Sequence, residues 1–281
     1  MKKKVILLFL TFTIVFSCFC ACSDSTVTEK LSLQVLSSGK SDCIFINIDG
    51  YRILVDCADE DDTESIKKML DENGTDKIDL FIITHYDNDH IGSAPEILRS
   101  YPVETLVMPD YVRHSKLTRK LLEAVEDKKD TTNTVYLKGE KYTHTLEGGT
   151  EILVDPPTED YGTDDNANSL ITLITLQCGE SLLLTGDATK ARLEEFLSFQ
   201  RGNFVFVKLP HHGEYNSEIR KLLTEHRVSY AAVTIEDKND AEKKLLEFAK
   251  SSSVEFFFTS NGDILLDYKE GNFVISQKKS N

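Results

Sequence analysis

A single loop holds the densest group of potential metal ligands in this 281-residue sequence. It spans residues 84–92 and reads THYDNDHIG. Four of its side chains are imidazoles or carboxylates, which borderline cations such as zinc prefer: His85, Asp87, Asp89 and His90. A continuous apolar run at 78–84 precedes the loop and predicts a strand buried on both faces. A tight loop at that strand end can turn these groups towards one point and so predicts a metal site; the alternative is a solvated acidic turn.

A second loop with potential ligands, residues 210–216, follows another apolar run at 204–209. Its Pro-His-His-Gly sequence places His211 and His212 at a strand end and so repeats the arrangement of the first loop. The alternative is a pair of solvated imidazoles. Lys208 also has two interpretations: a cation that offsets negative charge developing in a reaction, or a strand-edge charge without a partner.

Both loops must be positioned by strands, and the chain alternates strand and helix patterns along its length. Strands are predicted at 31–36, 43–48, 51–56, 78–84, 105–108, 134–137, 152–154, 170–176, 181–184, 204–209, 230–233 and 255–258. Helices are predicted at 64–73, 117–126, 189–199 and 241–251, with a final hairpin near Gly262. No linker rich in Pro, Gly or Ser divides the chain, and hairpins mix with βα units in both halves. This organisation predicts two sheets with helices outside them in a single domain.

The first residues are typical of an export signal. Three lysines, Lys2–Lys4, precede an apolar run at 5–16 that is too short for a comfortable membrane span. A cysteine cluster follows, and the whole segment resembles a bacterial lipoprotein signal in which Ala21 precedes a lipidated Cys22. Cleavage before Cys18 is the second choice, and a plain secretory signal or an uncleaved anchor is the alternative. We therefore expect a signal peptide at 1–21, a short tether at 22–30 and one domain at 31–281.

The charge and the signal bear on location and partners. Acidic residues outnumber basic ones 47 to 32 for a net charge of −15, and loss of residues 1–21 with their three lysines would change it to −18. Such a chain has no general electrostatic surface for nucleic acid, so contact with a phosphate backbone would need a local basic patch or a metal. We expect an exported lipoprotein at the surface or membrane of a bacterial cell, in contact with the membrane through its lipid anchor only. No segment points to a protein partner.

The first loop resembles the HxHxDH signature of the metallo-β-lactamase-fold hydrolases, with Asp87 where the second histidine usually stands. An HxDxDH form is familiar in the branch that resembles the hydrolase domain of the DNA-uptake channel ComEC/Rec2. Five further segments are similar to that branch in the same order: 38–43 (SGKSDC), 53–56 (ILVD), Asn166 with Asn168 and Ser169, 183–187 (LLTGD), and 208–213 (KLPHHG). The resemblance covers about residues 31–267.

This resemblance implies an α/β fold, the four-layer αββα metallo-β-lactamase sandwich. It also implies a centre with one or two zinc ions, or manganese in their place. The first ion would be bound by Asp89, His90, Asp187 and His211. The second ion would be bound by His85, Asp87 and the bridging Asp187. The sequence allows His211 and His212 to exchange roles.

The remaining roles follow from the same resemblance. A hydroxide held between two ions about 3.5–4 Å apart would be the nucleophile, because metal coordination lowers the pKa of water to about 7. Asp89 and Lys208 would assist catalysis, and His212 would hydrogen-bond a phosphoryl oxygen or protonate the leaving group. Residues behind the ligands would orient a histidine or contact the substrate: Asp56, Asn168 and Ser169.

One ligand of the family pattern has no clear counterpart. The separate metal-binding histidine between the main loop and the bridging aspartate is missing, since only His114 and His144 lie in that interval. His114 precedes an amphipathic helix and His144 lies between threonines, so both are predicted to be structural. One metal position is therefore expected to be weak or empty.

Together these features predict a secreted, lipid-anchored, metal-dependent hydrolase, and a phosphodiesterase acting on a small phosphoester is the leading interpretation. The alternatives are a ComEC-like nuclease acting on DNA, a lactone or β-lactam hydrolase, and a surface binding protein with a decayed metal site. The fold alone does not choose among them. The acidity opposes a nuclease that tracks long backbones, since neutralising phosphates takes Lys and Arg. The missing histidine weakens the lactone and β-lactam interpretation, and the retained ligands oppose a decayed site.

Overall fold

The computed structural model describes residues 29–200, 202–237 and 241–279. The predicted signal peptide at 1–21, and the predicted tether as far as residue 28, lie outside these residues. Within the described part of the chain, no helix has both the length and the apolar character needed to cross a bilayer.

Two sheets form the centre of the structure. Their strands in the described residues are β1 (Leu31–Val35), β2 (Ile44–Ile48), β3 (Tyr51–Val55), β4 (Ile78–Ile82), β5 (Val103–Pro109), β6 (Asn133–Leu137), β7 (Tyr142–Thr145), β8 (Glu151–Asp155), β9 (Ile171–Thr175), β10 (Ser181–Leu184), β11 (Phe204–Lys208), β12 (Tyr230–Val233), β13 (Glu255–Phe258), β14 (Asp263–Lys269) and β15 (Asn272–Lys278). The helices are α1 (Thr63–Glu72), α2 (Asn88–Ile91), α3 (Ala94–Ser100), α4 (Lys116–Asp127), α5 (Lys190–Phe199), α6 (Ser217–Glu225) and α7 (Lys243–Ser251).

Each sheet has an antiparallel half and a parallel half. The first has the strand order β15-β14-β1-β2-β3-β4-β5-β6, and the second has the order β13-β12-β11-β10-β9-β8-β7. Strands β3 to β6 pair in parallel in the first sheet, and β10 to β13 pair in parallel in the second. The other neighbours pair antiparallel. Parallel strands end at the same edge of a sheet, so the loops that follow them are brought together.

Three apolar clusters fix the order of the layers. Side chains such as Leu80, Leu182 and Phe206 form a core between the two sheets. A second cluster joins the outer face of the first sheet to α1, α3 and α4, and a third joins the second sheet to α5, α6 and α7. The layers therefore follow the order αββα, which confirms the predicted fold class.

The structure contains four elements that the sequence patterns did not predict, namely α2, α3, α6 and β7, and it places the last hairpin differently. Helix α3 has Pro95 in its first turn, where the missing N–H costs no helical hydrogen bond. Helix α6 was not predicted, although the Asn216 side chain accepts from two backbone N–H groups and caps it. The last hairpin turns at Glu270 and Gly271, both at positive φ, and Gly262 precedes its first strand.

Gly92 ends the first metal loop where two backbone segments approach closely. A Cβ atom at this position would lie 2.3 Å from the backbone carbon of Asp59 and from the nitrogen of Glu60. We expect Gly92→Ala to lower the free energy of unfolding by about 1–3 kcal/mol, because overpacking forces the backbone to shift. Gly202→Ala is the matched control, since its Cβ would make only an ordinary contact at 3.8 Å. Denaturant unfolding checks this, and equal stability of the two variants would contradict the close packing.

Candidate metal centre

The predicted ligand residues lie where the parallel strands of the two sheets end. Asp56 follows β3, and the 84–92 loop follows β4. In the second sheet, Asp187 follows β10 and the turn with the paired histidines follows β11. Residues from both halves of the sequence therefore meet at one edge of the sandwich.

Asp56 orients the two histidines of the first loop. Its Oδ1 accepts from the backbone N–H of Thr84 at 2.8 Å, and its Oδ2 accepts from Thr84 Oγ1 and from His90 Nδ1, both at 2.7 Å. Because Thr84 Oγ1 donates its proton to Asp56, it accepts from His85 Nδ1 at 3.0 Å. Both imidazoles therefore carry a proton on Nδ1 and present the lone pair of Nε2 to a metal.

A matching relay orients His212. Thr234 Oγ1 donates to Asp42 Oδ1 at 2.7 Å, so it accepts from His212 Nδ1 at 3.0 Å. Asp42 and Thr234 are both buried. The Nε2 atom of His212 is thereby left for a metal, as in the first loop.

Four side chains converge on one point: Asp89, His90, Asp187 and His212. Their ligand atoms all lie within 4.8 Å of one another. His212 Nε2 is 3.1 Å from Asp187 Oδ2 and 3.2 Å from Asp89 Oδ2. His90 Nε2 is 3.3 Å from Asp187 Oδ1. Ligands bound tetrahedrally to zinc at about 2.0–2.2 Å stand roughly 3.3–3.6 Å apart, so these separations are close to those of an assembled site.

Two buried nitrogen atoms at this edge lack hydrogen-bond partners. They are the Nε2 atoms of His85 and His90, whose side chains are fully buried. A buried polar atom without a partner costs roughly 1–3 kcal/mol, and a metal held by the four-residue cluster would remove that cost at His90. Imidazole and carboxylate together are the donors that zinc binds. The residues present therefore fit a divalent cation.

Lys208 is fully buried behind the cluster. Its Nζ pairs with Asp42 Oδ2, lies 3.4 Å from Asp187 Oδ1 and donates to the Gly186 carbonyl at 3.1 Å. Burial alone would lower the pKa of Lys208, but the charges of Asp42 and Asp187 outweigh it and raise the pKa. Lys208 is therefore neither a solvated strand-edge charge nor exposed to a substrate, and it neutralises the buried carboxylates.

The carboxylates create a negative potential at the cluster. Burial alone would lower the pKa of His90, but the charges of Asp187 and Asp56 raise it well above its usual value. At His212, burial alone would also lower the pKa, but hydrogen bonds with Asp187 and Asp89 have the larger effect and raise it. Burial would raise the pKa of Asp89, yet the His212 hydrogen bond and the charge of His90 lower it to about 2. The cluster attracts positive charge, and protons compete there with a metal.

His85 and Asp87 form a separate pair beside the cluster. His85 Nε2 is 3.5 Å from Asp87 Oδ2, and Asp87 Oδ1 is 2.6 Å from Arg113 Nη1. Among the described residues, neither member of the pair belongs to a group of three or more potential ligands. His144 stacks on a tyrosine ring, and His114 is exposed beyond the end of β5. At the predicted second metal position, His85 and Asp87 therefore lie together. Neither His114 nor His144 supplies the missing histidine there.

His211, assigned to the first ion from the sequence, lies outside the cluster, and His212 takes that place. His211 Nδ1 is 2.6 Å from Glu214 Oε2, and its Nε2 is 3.4 Å from Asn166 Nδ2. The backbone is left-handed at both histidines, with φ of 48° and 54°. This conformation turns His212 inward and leaves His211 at the rim, with 34% of its side chain exposed.

Asn168 and Ser169 support the centre from outside the cluster. Asn168 Nδ2 donates to the carbonyls of Gly162 and Asp164 at 3.2 and 2.7 Å, which shapes the loop before β9. Ser169 Oγ accepts from the backbone N–H of Asp187 at 3.3 Å. Ser169 thus positions the aspartate that two of the cluster's histidines approach, and Asn168 holds the adjoining loop.

The sequence profile of the metallo-beta-lactamase superfamily matches residues 37–233. That range contains the first metal loop, Asp187 and both histidines of the second loop. The chain belongs to this superfamily. Membership confirms the resemblance seen in the motifs and identifies the two-sheet sandwich as the metallo-beta-lactamase fold.

Two relatives by sequence carry the ComEC/Rec2 resemblance. The ComE operon protein 3 of Bacillus subtilis is 25% identical over 206 residues, which are 72% of this chain and 26% of that protein. Recombination protein 2 of Haemophilus influenzae is 27% identical over 157 residues, 56% of this chain and 18% of that protein. The chain thus spans about a quarter or less of either relative. Unliganded yeast PDE1 shares the fold, with a TM-score of 0.52 and 11% identity over 82% of this chain and 97% of that one.

Four residues that shape this metallo-beta-lactamase centre were missed in the sequence: Asp42, Thr84, Thr234 and Arg113. Asp42 lies in the 38–43 segment that carried part of the resemblance, and its position before a buried strand was the available signal. Thr84 ends the apolar run at 78–84, and its hydroxyl therefore has no pattern that marks it as a hydrogen-bonding partner of His85. Thr234 and Arg113 have no local pattern that marks them, because their partners are distant in sequence.

Variants of the two adjacent histidines should differ in metal binding. We expect His212→Ala to weaken metal affinity by more than the roughly 10–100-fold typical of losing a residue that only orients a ligand. His211→Ala should retain the native metal content, because its ring lies outside the cluster. Elemental analysis after dialysis against zinc measures both variants. Equal metal retention by the two would remove His212 from the ligand set.

Proposed function

We propose that this chain is a metal-dependent phosphodiesterase that acts on small phosphoesters. The observation that carries the proposal is the convergence of four ligand side chains at the edge of the sandwich: Asp89, His90, Asp187 and His212. Membership of the superfamily supports metal-dependent hydrolysis. The resemblance to the ComEC/Rec2 branch supports a phosphodiester as the bond that is cleaved.

The residues around the cluster have distinct tasks in such a reaction. A bound divalent cation would act as a Lewis acid and lower the pKa of a water molecule to about 7. Burial alone would raise the pKa of Asp187, but the charges of His90 and Lys208 lower it well below its usual value and keep this carboxylate ionised. Glu214 orients His211 through Nδ1, which leaves Nε2 for Asn166 or for a phosphoryl oxygen of a bound ester.

A cavity of about 280 Å³ adjoins the paired histidines. Its charged lining consists of Lys40 and three glutamates, Glu214, Glu236 and Glu242. The volume lies just below the range of roughly 300–1,000 Å³ for ligand sites. Excess negative charge in the lining repels a long polyanion. Both properties favour a small ester over a nucleic-acid strand.

A nuclease acting on DNA is the second candidate function. Its support is the similarity to two proteins named ComE operon protein 3 and Recombination protein 2. Their activities belong to proteins about four times or more the length of the matched region, so they reach this chain only as a proposal. The net charge of −15 opposes this candidate.

No observation favours a lactone or β-lactam substrate, and the assembled cluster opposes a decayed binding protein.

The proposal includes export and a lipid anchor at Cys22. The basic start, the apolar run and the cysteine cluster at residues 2–22 support it. Contact with the membrane would then be made by the lipid, and the acidic domain would act on soluble or headgroup phosphoesters near the surface.

A small chromogenic diester, bis(p-nitrophenyl) phosphate, should be hydrolysed by the zinc- or manganese-loaded protein. Asp187→Ala is the control and should lose bound metal and activity together, because Asp187 contacts both histidines of the cluster. Long DNA should be a poor substrate whose turnover does not fall steeply with salt, since an acidic surface gains little from released counterions.

Salt titration of both activities at fixed metal distinguishes the two candidates. At low salt the Debye length is about 30 Å at 0.01 M, so repulsion between DNA and the acidic chain is strongest there. Efficient DNA cleavage whose turnover falls steeply as salt rises would contradict the small-phosphoester proposal and support the nuclease.

The lipid anchor gives a separate prediction. Cys22→Ser should release the protein from membranes or leave an unprocessed precursor, because the thiol is the acceptor for the lipid. Membrane fractionation and the apparent mass on gels measure this outcome. A serine variant that fractionates with membranes at the processed size would show that the anchor is elsewhere.

A further inference from the structure

Arg113 lies between two carboxylates next to the His85–Asp87 pair. Its Nη1 is 2.6 Å from Asp87 Oδ1 and also hydrogen-bonds to Asp165 Oδ2. The Arg113 side chain is only 27% exposed, so the double ion pair is partly shielded from water. The guanidinium therefore has a fixed place at the edge of the metal centre.

Asp165 is held on its other side by a tyrosine. Tyr111 Oη donates to Asp165 Oδ1 at 2.5 Å, and the backbone N–H of Tyr86 donates to the same tyrosine oxygen at 3.1 Å. Tyr86 belongs to the first metal loop, so these bonds tie Asp165 to that loop. Asp87 and Asp165 consequently face each other across one cation.

The buried imidazole of His85 adjoins this arrangement. Its Nε2 has no hydrogen-bond partner and lies 3.5 Å from Asp87 Oδ2. One imidazole and two carboxylates are a donor set that binds zinc or manganese. Here a positive charge already lies between the two carboxylates, and among the described residues these three donors do not form a group within 4.8 Å of one another.

We propose that the Arg113 guanidinium takes the place of a second metal ion, so that the native centre binds one divalent ion, in the four-ligand cluster. The inference rests on the proposed metal-dependent function but does not depend on which ester is cleaved. Asp87 and Asp165 carry two negative charges, and a divalent ion would have to displace the arginine to reach them. A neutral residue at position 113 frees both carboxylates and the His85 lone pair for such an ion.

The test is the number of metal ions that each folded variant binds. Equilibrium dialysis of the full chain against micromolar Mn²⁺, followed by elemental analysis, should give close to one ion for the native chain and for Arg113→Lys. Arg113→Gln and Arg113→Ala should each give close to two. Adding Asp165→Asn to Arg113→Gln should return the value to one, because it removes a carboxylate from the second position.

Electron paramagnetic resonance gives an independent readout. An isolated manganese ion has a six-line spectrum, whereas two ions about 3.5–4 Å apart are spin-coupled. A coupled spectrum confined to the neutral variants, and lost on adding Asp165→Asn, supports the proposal. Two ions in the native chain, or one ion in both neutral variants, would overturn the assignment of Arg113 and leave the hydrolytic function intact. Absence of both manganese and zinc from the native chain and every variant, after dialysis against each metal, would overturn both.

Discussion

Two buried carboxylates, Asp42 and Asp56, hold the metal centre in shape. Each accepts a hydroxyl proton from a threonine, and each threonine in turn accepts the Nδ1 proton of a histidine. A carboxylate in a low-dielectric interior is costly unless it is fully hydrogen-bonded, so each relay has one satisfied arrangement. That arrangement fixes which nitrogen of each imidazole is left available to a metal. The ligand geometry is therefore a consequence of satisfying the two buried acids.

Asp42 also joins the two sheets. It precedes β2 of the first sheet, while its partners Lys208 and Thr234 come from the ends of β11 and β12 in the second. The cluster is divided in the same way, because His90 belongs to the first sheet's loops and Asp187 to the second's. Packing between the sheets thus sets the distances between ligands. Close-packed interiors deform little, so the fold holds these distances with little freedom.

Separation along the chain decided what could be predicted from the sequence. The first metal loop was readable because its ligands are adjacent and follow a strand that is apolar on both faces. The relay between Asp42 and Thr234 spans 192 positions, and the pair of Arg113 and Asp165 spans 52. Such contacts depend on how the sheets pack and leave no local pattern. Which of the two adjacent histidines faces the cluster could not be predicted for another reason. The choice depends on the positive φ angles of His211 and His212.

Charge balance explains why the cluster attracts a divalent ion. Lys208 compensates only part of the buried negative charge, so the remainder falls to His90 and His212, whose pKa values are raised for that reason. The raised pKa values favour protons on these imidazoles, and a bound metal would compete with those protons for the same nitrogens. Asp56 holds His90 directly and the Asp42–Thr234 relay holds His212, so proton and metal would exchange at nitrogens whose positions are already set.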